Sequence, residues 1–130
     1  MSEFQIPVGL VSEATATVEA QLLATAMGSG NVAVYATPAM VALMEAAAVA
    51  ALAPALRGDQ SSVGIALDVK HLAATPLGQQ VRARAEVVQV HGKRVTFRVQ
   101  AWDEHELIGE GTHVRYVIDI ARFMQRVQAK

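Results

Sequence analysis

Cysteine is absent from this 130-residue sequence. That excludes a disulfide framework, a thiolate metal site and a cysteine nucleophile. It leaves the compartment open, with a cytoplasmic setting as the simplest expectation. Charge is scarce as well. Only 18% of residues are charged, and 11 Lys and Arg nearly balance 12 Asp and Glu. A chain near neutrality lacks the basic footprint of a nucleic-acid binder. The opening "MSEFQIPVGLVSEATATVEA" lacks a basic start and an apolar core, so no signal peptide is expected. The one long apolar run, residues 38–56, approaches the length of a membrane span. It carries Glu45, Pro54 and many alanines, which argues against one.

What is present is apolar surface. Hydrophobic residues make up 52% of the chain, above the usual share for a soluble domain. The length suits a single domain, residues 1–130, with a real core. The excess apolar surface points to burial against another subunit.

Hydrophobic periodicity divides the chain. Residues 8–20 alternate, with Ala14, Ala16, Val18 and Ala20 on one face, and read as a strand. "QLLATAM" suggests one or two helical turns stopped by "GSG". The Gly-containing loop 28–36 is a candidate lid or entry segment. Thr37-Pro38 opens a long helix running to Ala53, with Thr37 as the expected N-cap. Its Ala, Leu and Met content favours the helix, and Pro54 and Gly58 end it. Beyond Ser61 the period changes to two. Val81, Ala83, Ala85 and Val87 alternate with Arg82, Arg84 and Glu86. Val95, Phe97, Val99 and Ala101 alternate with Thr96, Arg98, Gln100 and Trp102. "HGKR" is a hairpin turn between these two, "SSVGIALDVKHL" precedes them and "LIGEGTHVRYVIDI" follows. "ARFMQRVQAK" reads as a short terminal helix. One long apolar helix and about five antiparallel strands fit an α+β architecture in which a curved sheet wraps the helix. That is the hotdog fold, whose sheets usually pair edge to edge in a dimer.

Glu45 is the odd residue of the helix. Val41, Ala42, Ala48 and Val49, its neighbours at helical spacing, are all apolar. A carboxylate there has to be paired or solvated in a cleft, and such groups concentrate at functional sites. Thr37 lies at the helix N-terminus, where free N–H groups and the dipole favour an anion or a carbonyl oxygen. His71 falls near a strand end, suited to a general base or a structural hydrogen-bonder. His91 and His105 fall in turns, and His113 in the last strand is a weaker candidate. Gly64, Gly109 and Gly111 lie inside strands, where glycine marks a bulge or a close approach. Arg115 shares a sheet face with His113. It is read slightly more readily as surface decoration than as a phosphate binder.

The segments "YATPAMVALMEAAA", "VGIALDVKHLAATPLG", "GKRVTFRVQAWDE" and "IGEGTHVRYVI" together resemble the fluoroacetyl-CoA thioesterase-like branch of the hotdog superfamily, over about residues 8–126. The resemblance implies an acyl-CoA thioesterase that uses no metal or cofactor and forms a homodimer or a dimer of dimers. The family's catalytic Thr, Glu and His match Thr37, Glu45 and His71. Its glycine beside the thioester matches Gly64, and its substrate-holding arginine matches Arg115. The member that names the family carries an aromatic lid just before the Thr. Here that region, "MGSGNVAVYA", holds Tyr35 as its only aromatic, which favours a general short-acyl substrate.

Eight helical residues separate Thr37 from Glu45, a rise of about 12 Å. On a regular helix their side chains cannot meet, so the site would have to draw on two subunits or the helix begin later. The rival expectations are a hotdog hydratase or dehydratase, whose Asp–His motif "TPAMVALME" does not resemble, and a non-catalytic module that binds acyl-CoA or another small ligand.

Overall fold

The structure is a computed structural model that describes residues 5–130. The first four residues of the N-terminal stretch lie outside the described residues. Five strands form one antiparallel sheet: β1 (Val11–Thr17), β2 (Gln60–His71), β3 (Gln80–His91), β4 (Arg94–Trp102) and β5 (Leu107–Asp119). Their spatial order is β1-β3-β4-β5-β2, so β1 and β2 are the edges. The expected alternation holds. Val81, Ala83, Ala85 and Val87 on β3, and Val95, Phe97, Val99 and Ala101 on β4, all face the core and are buried. Each Val or Phe buried this way contributes about 1.5–3 kcal/mol. The two strands meet at the expected hairpin, where His91 pairs with Arg94. Gly92 takes the first loop position with φ +62, a backbone region that favours glycine.

Against the inner face lies α2 (Thr37–Leu52), followed by a 3-10 turn, Ala53–Ala55. Met40, Met44, Ala47, Ala48, Ala51 and Leu52 are buried beneath it. The helix packs chiefly on β1 and β3 and barely touches β2. Its run Thr37–Ala55 is long and apolar enough to cross a membrane by composition. In this fold one face of the run fills the curl of the sheet, while Ala42, Val49 and Ala50 stay exposed. Before it come a 3-10 turn, Ala20–Leu22, and the single turn α1 (Ala24–Met27), which ends on Gly28 at φ 74. The terminal helix α3 (Ile120–Gln128) is capped by Asp119, whose side chain accepts from the Arg122 amide.

Two sequence expectations shift. The first strand is shorter than residues 8–20, although Val18 is buried and its amide still bonds Gln79. Thr37 is not the N-cap: Ala36 is, and Thr37 is the first helical residue, with Pro38 just after it. Its hydroxyl makes no capping bond because it is engaged elsewhere.

Candidate active site

The expected site residues fall into two clusters. The first joins the start of α2 to the end of β2. Thr37 Oγ1 lies 2.7 Å from His71 Nδ1. His71 Nε2 is buried and finds no hydrogen-bond partner among the described residues. Burial lowers the His71 pKa, so the imidazole is neutral at physiological pH. Tyr35 packs edge-on against the His71 ring at 6.4 Å between centroids. It is itself buried, and its phenol is pushed up to about 12 by that burial.

A cavity of about 390 Å³ opens onto this pair. Its walls come from the loop before α2, including Ser29, Asn31 and Val32, and from Leu72 to Ala74. The candidate entry loop therefore does border the site, but Tyr35 is a buried wall rather than an aromatic cover. Among the described residues, no Lys, Arg, Asp or Glu lines the cavity. The far wall is stitched to the rest of the fold. Buried Thr75 donates to Asp103 Oδ2 at 2.8 Å, and its carbonyl accepts from the Tyr35 amide at 2.8 Å.

The second cluster surrounds Glu45. Arg115 Nη1 donates to Glu45 Oε2 at 3.3 Å. The same guanidinium donates from Nε to Ser62 Oγ at 2.8 Å and from Nη2 to the Ser62 carbonyl at 3.0 Å. Arg115 is only 6% exposed, which corrects the reading of it as surface decoration. Burial lowers its pKa and Glu45 works to raise it, yet a guanidinium stays charged under any ordinary condition. Glu45 keeps 41% of its side chain exposed, on a cleft lined by Val41, Gly64, Ile65, Leu67 and His113.

Gly64 is where the sheet makes room for this carboxylate. The β2–β5 register shifts between Gly64 and Ala66, a bulge in the edge strand. A Cβ at position 64 would stand 2.7 Å from Glu45 Oε2 and 3.0 Å from His113 Cε1. A side chain at this position would displace the carboxylate from where it lies.

Thr37 and His71 thus meet, and Glu45, Gly64 and Arg115 meet, but the two groups do not join within one chain. The 16-residue helix is continuous from Thr37, so the rise of about 12 Å between Thr37 and Glu45 stands. Sequence reasoning undervalued His113. It is 2% exposed and stacks on Phe97 at 6.2 Å. It shares the inward face of β5 with Arg115 and Val117, which the strand order and not the sequence parity decides.

Comparison with known proteins gives one answer. The family model described as fluoroacetyl-CoA-specific thioesterase matches residues 18–121. A fluoroacetyl-CoA thioesterase of Streptantibioticus cattleyicolor is 46% identical over 97 residues, which is 75% of this chain and 70% of that protein. The solved structure of the fluoroacetyl-CoA thioesterase FlK superposes with a TM-score of 0.91 at 36% identity, covering 97% of this chain and 98% of that one. One mutant of that enzyme has been solved in complex with acetyl-CoA. A hot-dog-like protein from Thermanaerovibrio acidaminovorans superposes with a TM-score of 0.85 at 27% identity, covering 95% of this chain and 91% of that one.

Proposed function

The chain belongs to the fluoroacetyl-CoA-specific thioesterase family and is an acyl-CoA thioesterase; from that premise we propose that it hydrolyses a short, uncharged acyl-CoA with Glu45, His71 and Thr37 as the catalytic set. The observation that carries this reading is the half-exposed Glu45 carboxylate, aimed into a cleft by a buried arginine. A carboxylate held by a buried guanidinium at the mouth of a cleft is an arrangement that concentrates at functional sites.

In this reading Glu45 acts at the thioester carbonyl. It either draws a proton from an attacking water or attacks the carbon itself to give an acyl-Glu45 anhydride that water then cleaves. Each route consumes one water and yields the free acid and the CoA thiol. The two differ in isotope fate. Single turnover in ¹⁸O-water labels the Glu45 carboxylate only if the anhydride forms and water attacks its Glu45 carbonyl. Attack at the acyl carbonyl leaves Glu45 unlabelled, so chemical trapping of the acyl-enzyme complements the label. The Gly64 backbone and the start of α2 supply N–H groups for the developing oxyanion. Thr37 hydrogen-bonds the reacting group, and His71 gives or takes the proton through a neutral ring.

Substrate size and charge follow from the cavity beside Thr37. Among the described residues it has no charged wall to pair a second carboxylate and no aromatic cover. We therefore assign it to an uncharged short acyl group without selectivity for fluorine.

Completing the site takes a second copy of the chain. Strand β2 is a sheet edge, and Gly64 through Asp68 are all exposed, Ile65 at 48% and Leu67 at 40%. An edge this apolar calls for a partner. A two-fold axis beside Ala66 or Leu67 would set His71 opposite the partner's Ser61 or the partner's Val63. The Thr37–His71 pair of one protomer would then face the partner's Glu45. Co-refolding Thr37→Ala with Glu45→Gln tests this. Each homodimer should be inactive, whereas a statistical mixture should recover about a quarter of wild-type turnover, since half the dimers are mixed and each holds one intact site. No recovery would mean that both groups serve one chain.

A further inference from the structure

His113 stands at the centre of the Glu45 cluster, and its two ring nitrogens have neighbours of opposite character. Nδ1 lies 2.9 Å from the Ala66 carbonyl. A carbonyl can only accept, so Nδ1 carries the hydrogen. Nε2 lies 3.2 Å from Arg115 Nη1. A guanidinium can only donate, so Nε2 must present its lone pair. Both contacts demand the same neutral tautomer. The 3.8 Å separation of His113 Nε2 from Glu45 Oε2 is accordingly no ion pair. A second proton on the ring would point at the arginine.

Arg115 Nη1 has two hydrogens, and its two partners are His113 Nε2 and Glu45 Oε2. Ser62 accepts from Nε through its hydroxyl and from Nη2 through its carbonyl. Ser62 and His113 therefore fix the plane of the arginine, and the second Nη1 hydrogen is left aimed at the carboxylate. The other end of His113 holds Ala66, the residue at which β2 regains register after its shift. Gly64, at the start of that shift, is the residue that lets Glu45 approach the strand. One imidazole thus joins the two features that set the carboxylate's position, the guanidinium and the bulge.

We infer that His113 is a positioning residue for thioester hydrolysis, a neutral ring that holds Arg115 onto Glu45 through Nε2 and fixes the Gly64–Ala66 bulge through Nδ1. The inference rests on Glu45 being the catalytic carboxylate. It assigns His113 no contact with substrate. Burial lowers the His113 pKa foremost and the Arg115 charge lowers it further; together they outweigh the Ala66 carbonyl and the Glu45 carboxylate, which raise it. If His113 were simply core filling on Phe97, an apolar ring of similar size would serve as well.

The experiment compares His113→Phe, which keeps the stacking and loses both hydrogen bonds, with His113→Gln, whose side-chain oxygen can accept from Arg115. Steady-state kinetics on acetyl-CoA should show His113→Phe with kcat lowered about 30- to 100-fold and KM within about 3-fold, the signature of a misplaced catalytic group. His113→Gln should regain about 10-fold of that loss. Two-bond ¹H–¹⁵N correlation spectra of the wild-type protein should show His113 protonated on Nδ1 alone at neutral pH. A Nε2–H tautomer overturns the inference. So does a folded His113→Phe variant with kcat within about 3-fold of wild type while Glu45→Gln is inactive. If Glu45→Gln itself retains turnover, the assignment of Glu45 fails and this role of His113 fails with it, whereas the tautomer result stands by itself. If His113→Phe does not fold, the tautomer and the His113→Gln kinetics decide: kcat of His113→Gln should stay within about 10-fold of wild type, and a greater loss counts against the hold on Arg115.

Discussion

Thr37 Oγ1 sits 2.7 Å from His71 Nδ1, joining the first residue of the central helix to the last residue of an edge strand. Because Ala36 holds the cap position, the Thr37 hydroxyl is free for this bond. Replacing Thr37 with Ala should therefore cost the helix no cap and leave thermal stability nearly unchanged, while kcat falls about 10²- to 10⁴-fold. Thr37→Ser should keep most of the activity. Release of free CoA thiol from acetyl-CoA measures both. Equal losses in the two variants would remove the hydroxyl from the mechanism.

Acidification should act on turnover through His71. Its folded pKa is lowered below 6.5 by burial, so the ring is neutral at pH 7 and gains a proton only in more acid solution. With a neutral ring required, kcat/KM should be flat near pH 7 and fall once pH drops below the lowered pKa. The pH profile should lose that acid limb in His71→Ala, measured on whatever residual activity remains.

Stability should also fall with acid. His71 and His113 both have folded pKa values below the ordinary 6.5. The unfolded chain then binds more protons than the folded one, so unfolding free energy decreases as pH falls from about 6.5 toward the folded values and levels off below them. Melting temperatures between pH 7.5 and 5 would show the slope. His113→Gln should be less steep than wild type, and a stability that rises on acidification would contradict the neutral rings.

At Gly64, alanine brings a Cβ to within 2.7 Å of Glu45 Oε2. The carboxylate has to swing away, and kcat should drop about 100-fold with KM little changed. The melting temperature checks that the fold survives. Unchanged kcat in a folded Gly64→Ala variant would separate Glu45 from the bulge.

For substrate choice, fluoroacetyl-CoA and acetyl-CoA should differ in kcat/KM by less than about 10-fold, because a small apolar difference earns little discrimination without a dedicated wall. Succinyl-CoA should be hydrolysed far more slowly than either. A large preference for the fluorinated substrate would show that the Ser29–Val34 loop gates by other means than an aromatic ring.

Much of the fold could be read in advance where one physical constraint dominates. On β3 and β4 polar and apolar residues alternate strictly, so one face was legible from Val81 to Val87 and from Val95 to Ala101. The helix was legible from its Ala-rich content. Thr37 was misread as a cap because the same residue type suits the cap and the position after it, and only the location of His71 decides. On β5 both faces carry apolar residues: Val117 points inward while Val114, Tyr116 and Ile118 alternate with it. Parity alone then cannot say which face is buried, so the inward His113 and Arg115 became legible only with the strand order. The pairing of Gly64 with Arg115 across β2 and β5 depends on a register that no local pattern sets.

The continuity of α2 from Thr37 to Leu52 has a kinetic meaning. With the Thr37–His71 pair near one end and Glu45 two turns along, the helix works as a spacer that keeps a single chain from completing the proposed site. A site shared between two copies predicts a dependence on concentration: specific activity should decline on dilution and return on reconcentration, and activity independent of dilution would count against sharing. Ile65→Glu, by charging the apolar edge, should move that decline to higher protein concentration.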